Sequence, residues 1–189
     1  MDISSIITVV VVLVVVGAIL AWIFIPRQRT KKLQEKFGPE YDYTVNKAKG
    51  QHEAETELEE RQERVKAFSI APLSPEASEG FSKAWQAVQA HFVDQPAEAV
   101  VEADRLVNEA MEARGYPMAN FEQRAADVSV DHPTVVTNYR AAHEIVLKNE
   151  QSDANTEELR QAMVHYRALF EDLLEVQEIN KNHKEAVAS

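Results

Sequence analysis

The sequence predicts an all-α protein, and three observations carry the prediction. Between Tyr41 and Leu174 apolar residues recur every three or four positions in stretch after stretch, the period of an amphipathic helix. Helix-start signals open several of these stretches, as at Ser74-Pro75, Asp131-His132-Pro133 and Asn155-Thr156. No segment alternates apolar and polar residues between turns, as a half-buried strand would. The predicted order is a single N-terminal transmembrane helix, then charged membrane-proximal helices, then a helical bundle. In residue numbers this is an anchor over 1–26, a basic juxtamembrane segment with charged spacer helices over 27–71, a bundle over 72–176, and a polar tail over 177–189 that is expected to fray.

The anchor rests on 24 residues without a charge, Ile3 to Pro26, rich in Val, Ile and Leu. At about 1.5 Å per residue they make about 36 Å of helix, more than the roughly 30 Å of a hydrocarbon core. Trp22 and Phe24 lie toward the end of the run, where aromatic rings favour the interface. A cleaved signal peptide fits less well. Its n-region is basic, its apolar stretch shorter and its cleavage site small-x-small, whereas here Asp2 precedes the run and Ala18 and Ala21 are spaced wrongly. Arg27, Arg29, Lys31, Lys32 and Lys36 follow the span and no basic side chain precedes it. The positive-inside rule then puts the N-terminus outside and the rest in the cytoplasm. The same basic residues set this topology and are placed to touch anionic lipid.

Phe37-Gly38-Pro39 ends the juxtamembrane helix, and Pro39 can open the next. From Glu40 to Phe68 the chain is strongly charged, with Glu57/Arg61 and Glu60/Arg64 in the favourable i,i+4 order. Tyr41, Val45, Ala48, Ala54, Leu58, Val65 and Phe68 give two helices, or one kinked at Lys49-Gly50-Gln51. Arg61 and Gln62 interrupt any coiled-coil seam, so the expectation is a spacer packing weakly on the bundle. Phe81, Trp85, Val88 and Phe92 share a face of the helix opened by Ser74-Pro75. Asp94 is read as the cap of the next, with Val100, Val101, Val107 and Met111 facing inward and Gly115 and Pro117 stopping it. After a short segment, Phe121 to Ala126, comes a helix with Val135, Val136, Tyr139, Ala142, His143, Val146 and Leu147 at helical spacing. Asn155 with Glu158 resembles a capping box, and Leu159, Met163, Tyr166, Leu169, Phe170, Leu173 and Leu174 form the clearest apolar stripe of the chain.

Charge and composition narrow the function classes. The net charge is −11, and from Phe37 onward 29 acidic and 15 basic residues leave −14. Nucleic acid and anionic headgroups are bound chiefly through Lys and Arg, so nucleic acid is not an expected partner of this body. There are no cysteines, which removes disulfides, thiol nucleophiles and thiolate metal sites. The five glycines are not grouped, and no phosphate-cradling loop is present.

The residues with chemistry to offer are His143, Glu144, His132 and Asp131. His143-Glu144 opens like a zinc-protease helix, but that site needs a second His four residues after the first, and position 147 is Leu. A helix-borne His followed by Glu also resembles a phosphorelay bundle. Here Val146, Leu147 and Lys148 stand where a sensor kinase has a basic residue and Pro, and Asn149 where a phosphotransfer domain has Gly. The spacing puts His143 on or beside the apolar face, where a packed, neutral imidazole is expected. Asp127, Asp131 and His132 lie near Ser129, but no nucleophile-elbow turn accompanies them, and Asp131 before His-Pro reads as a helix cap. Trp85, Tyr139 and Tyr166 read as core aromatics, with a groove for a partner helix as the alternative. No cofactor is expected.

Several motifs bear a resemblance. They are Phe37-Gly38-Pro39-Glu40-Tyr41-Asp42, Pro72-Leu73-Ser74-Pro75-Glu76, Phe92-Val93-Asp94, Ala103-Asp104-Arg105-Leu106-Val107, Arg114-Gly115-Tyr116-Pro117, Phe121 to Asp127, Ser129-Val130-Asp131-His132-Pro133 and Leu159-Arg160-Gln161-Ala162-Met163. Together they resemble a family of uncharacterised bacterial single-span membrane proteins, across nearly all of Arg27 to Leu174. The resemblance implies a bacterial origin and an anchored domain. It carries over no activity, cofactor or catalytic residue. The functional expectation is therefore a scaffold or interaction module, tethered to the bilayer by its N-terminal helix and binding a protein partner. The alternative is a phosphotransfer or other His-based catalytic module at the membrane.

Overall fold

A computed structural model describes the backbone of residues 27–187 and the side chains up to Leu174. The predicted span, Ile3 to Pro26, lies outside the described residues. Among the described residues no helix is long and apolar enough to cross a membrane. Every element described is helical. They are α1 over 27–37, α2 Pro39–Lys47, α3 Gln51–Lys66, α4 Pro75–Asp94, α5 Pro96–Ala113, α6 Phe121–Val128, α7 Val136–Glu150 and α8 Thr156–Val187.

The breaks follow local chemistry. Gly38 takes φ +47 after α1, and Pro39, lacking an N–H, opens α2. Ser74 caps α4, its Oγ accepting from the Ala77 amide at 3.2 Å. The Asn155–Glu158 capping box forms as read. Asn155 Oδ1 accepts from the Glu157 and Glu158 amides at 3.0 Å, and Glu158 Oε2 from the Asn155 amide at 2.9 Å. Two start signals were misplaced. Asp94 closes α4, and it is Gln95 that stands before Pro96. Asp131-His132-Pro133 starts no helix, because α7 begins at Val136 with no side-chain cap.

The main core lies among α4, α5, α7 and α8. One residue joins α4 to α5, so the two form a hairpin, with Trp85 reaching across to stack on Phe170 of α8 at 4.8 Å. Ala99, Val100, Ala103, Leu106, Val107, Ala110 and Met111 supply the buried stripe of α5. The small residues in it let neighbouring helices approach, while the aromatics of α7 and α8 fill the remaining volume. The stripe read on α8 is buried through Leu173, with Leu174 partly covered. Val101 and Leu147, read as inward-facing, are instead 46% and 43% exposed. Both sit at the margin of a helical stripe, where a short run of residues does not fix the facing direction.

A second core joins α1 and α3 around Leu33, Phe37, Tyr41, Leu58 and Val65, closed by Val130. Arg29 grips Glu59 with two hydrogen bonds, at 2.6 and 2.8 Å. Glu55 collects donors at its Oε1 from Thr30, Tyr41 and Gln51 at 2.7, 2.9 and 2.8 Å. These donors, with Arg29 nearby, outweigh the opposing effect of burial and hold the Glu55 carboxyl below its ordinary range.

The return strap from α3 to α4 is held by Ala71, whose amide donates to the Arg114 carbonyl at 2.9 Å. Gly115 turns the chain there with φ +96, and a Cβ on it would stand 2.6 Å from the Ser69 carbonyl oxygen. Gly115→Ala is therefore expected to destabilise by at least about 1–3 kcal/mol from the backbone conformation alone, with the clash adding to it. A urea titration showing a loss below about 0.5 kcal/mol, the range of ordinary surface changes, would refute this packing of the strap.

Candidate functional site

The turns after α6 carry His132 beneath α8, where it is buried. Its Nδ1 meets Asp172 Oδ2 of α8, and its Nε2 faces Arg114 Nη1 at 3.1 Å. A guanidinium only donates, so Nε2 holds the lone pair and Nδ1–H donates to Asp172. Arg114 Nη1 also donates to the Leu173 carbonyl at 3.0 Å. The cluster ties the end of α5 to α8 and engages both nitrogens of the ring.

Asp131 has a different duty from the cap that its sequence position suggests. It is exposed, and its Oδ2 accepts from the Tyr116 hydroxyl at 2.9 Å. Burial, and then the Asp131 charge, push the Tyr116 phenol upward. Asp131, His132 and Arg114 line one cavity of about 610 Å³ beside Lys36 and Lys66.

His143 and Glu144 are not part of that cavity. Glu144 is exposed on α7. His143 is half-buried and stacks on Phe121 of α6, with centroids 3.6 Å apart and planes 11° from parallel. Its Nδ1 is buried with no hydrogen-bond partner. Beneath it Arg124 donates to the Tyr139 hydroxyl at 2.8 Å, and Tyr139 donates to Asn108 at 2.9 Å. Burial pushes the Tyr139 phenol up to about 12, against the opposing pull of Arg124. Tyr166 donates to Asp104 at 2.7 Å, and burial followed by that carboxylate raises it too.

Desolvation lowers the proton affinity of His143. The unfolded chain then takes up the proton first, near the ordinary His pKa of about 6.5. The stability tied to a neutral His143 is full above that pH and declines as pH falls toward the lowered folded value. His143→Gln is expected to flatten the fall in unfolding free energy between about pH 7 and 5. Titrations whose slopes match the unsubstituted protein would refute a packed, neutral ring.

The chain matches no family model, no curated protein and no solved structure. Among the described residues no group of three or more His, Cys, Asp or Glu is placed to hold a metal ion. The four residues singled out from the sequence fall into two places, Asp131 and His132 in one, His143 and Glu144 in the other.

Sequence reasoning missed the most heavily charged buried cluster. Glu40 of α2 is wholly buried. It accepts from Arg61 Nη1 at 2.7 Å and from Arg140 by two bonds, Nη1 to Oε2 at 2.6 Å and Nη2 to Oε1 at 2.9 Å. Arg61 also meets Glu57 and the Ser129 hydroxyl, and Arg140 lies 4.1 Å over the Tyr43 ring. Nearby, Arg64 reaches Asp127 at 2.8 Å rather than the Glu60 read as its i,i+4 partner. The only signal was Arg61 standing where a helix seam asks for an apolar residue. These ion pairs link α2 and α3 to α6 and α7.

Proposed function

We infer that this chain is a membrane-tethered helical module, held at a bacterial inner membrane by its N-terminal run and binding a protein partner from the cytoplasmic side. The observation that carries the reading is that α1, which follows the run in sequence, is fixed to the rest of the described helices. The 24 uncharged residues lead directly into α1, and α1 is clamped by Leu33, Phe37 and the Arg29–Glu59 pair. The Glu40 cluster carries the clamp on to α7. A bilayer span would then fix the height of the bundle, and a fixed tether raises the effective concentration of membrane partners without new contacts.

His-based phosphotransfer is the weaker reading, because His132 has both ring nitrogens engaged and His143 lies flat on Phe121. The test uses the full chain in a bacterial host. It should resist carbonate extraction, survive protease added to intact spheroplasts and be digested in inverted vesicles. Crosslinking in those membranes should trap a discrete protein adduct, which His143→Gln leaves intact. Release by carbonate would refute the tether, cleavage in intact spheroplasts the orientation. An acid-labile phosphate lost in His143→Gln would replace the scaffold with phosphotransfer.

A further inference from the structure

Arg114 is anomalous among the buried arginines described. Arg61 and Arg140 share the Glu40 carboxylate. Arg114 is as buried as Arg61, yet it hydrogen-bonds no carboxylate; it meets the His132 ring, whose other nitrogen faces Asp172, and the Leu173 carbonyl. Both contacts use Nη1. Its Nε is buried without a partner, as are those of Arg61 and Arg140, but among the described residues it is the buried arginine whose Nη2 makes no hydrogen bond, whereas both Nη atoms of Arg61 and Arg140 are bonded. Nε–H and Nη2–H are the side-on fork of a guanidinium, the edge that grips a carboxylate or phosphate with two parallel bonds. A buried cation lacking its anion is costly, and this one lines a cavity of about 610 Å³.

The rest of the cavity suits an anion with an apolar group. Lys36 and Lys66 stand at it with Arg114, against the single lining carboxylate of Asp131, which is occupied by Tyr116. Among the described residues Lys36 meets no carboxylate, donating to Gln62 at 3.3 Å with its ammonium 5.9 Å over the Phe37 ring, and Lys66 makes an exposed pair with Glu63. Phe68, Ile70 and Val130 supply apolar wall. In a domain of net −14 from Phe37 onward, this is a local reversal of sign. Two ammonium groups and a fork ask for more than one negative charge.

We propose that this cavity binds an organic phosphomonoester, its phosphate on the Arg114 fork between Lys36 and Lys66 and its apolar group against Phe68, Ile70 and Val130. The proposal does not rest on the membrane tether, since every residue in it lies among the described residues.

The test is ligand-dependent melting of the full chain in neutral detergent micelles, since a ligand of the native state raises Tm in a saturable way. Phenylphosphate, benzoate and benzyl alcohol are compared at equal ionic strength, and dihexanoyl phosphatidic acid separates a lipid headgroup from a soluble ester. Phenylphosphate or the short lipid should raise Tm saturably, benzoate less, and benzyl alcohol not at all. The double variant Lys36→Gln, Lys66→Gln alters exposed side chains and should keep the unliganded Tm. Loss of two charge-assisted contacts should weaken binding by about tenfold or more. Arg114→Met removes the unpaired cation and should abolish the response. If that variant fails to fold, the lysine variant decides alone. No saturable shift, an equal shift with benzoate, or an unchanged affinity in the lysine variant would overturn the proposal.

Discussion

Glu40→Ala is expected to cost about 3–5 kcal/mol of folding stability, the range for removing one partner of a buried ion pair. The carboxylate is wholly buried between two guanidinium groups. Its loss leaves Arg140 without a carboxylate partner, whereas Arg61 keeps Glu57 and Ser129. The damage should therefore fall on the α2–α7 contact. A double-mutant cycle tests this. Arg140→Met alone leaves Glu40 paired with Arg61, and the combination with Glu40→Leu should cost less than the two single changes added, by about 0.5–3 kcal/mol. Additive losses in urea titrations would show that the pair does not couple α2 to α7.

Leu169→Ala should cost about 2–5 kcal/mol, as for other fully buried leucines. Leu169 has no exposed surface and sits in the stripe of α8 that packs on α5 and α7. The same helix supplies its own control, because Val164 is 53% exposed and Val164→Ala should stay within about 0.5 kcal/mol. Equal effects at the two positions would mean that this face of α8 is not core.

Both expectations describe one cooperative body, but they draw on differently legible features. Leu169 was readable because a helix face is written at fixed spacing, and the spacing from Leu159 to Leu173 repeats long enough to fix its direction. Shorter stripes were less reliable, and Val101 and Leu147 face outward at their margins. The resemblance and the charge rule bear on the anchor, whose residues lie outside those described.

The candidate site was half legible. Spacing placed His143 beside an apolar face, and it lies there on Phe121. His132 and Asp131 were singled out by residue type, and Asp131 was misread as a helix cap. The partners that define them, Arg114, Tyr116 and Asp172, are brought in from distant parts of the chain.

What the sequence determined by itself was local: the helical period, the Ser74 and Asn155 caps, the break at Gly38-Pro39, and the uncharged run. These depend on hydrogen bonds and side-chain spacing within a few residues, so the chain states them wherever it goes. What only the tertiary structure decided was which charges are buried and with whom. Glu40 and Arg140 are 100 residues apart in the chain, and a charged residue looks the same in sequence whether it faces water or a partner. Its state follows from desolvation and pairing, which exist only once distant helices have closed around it.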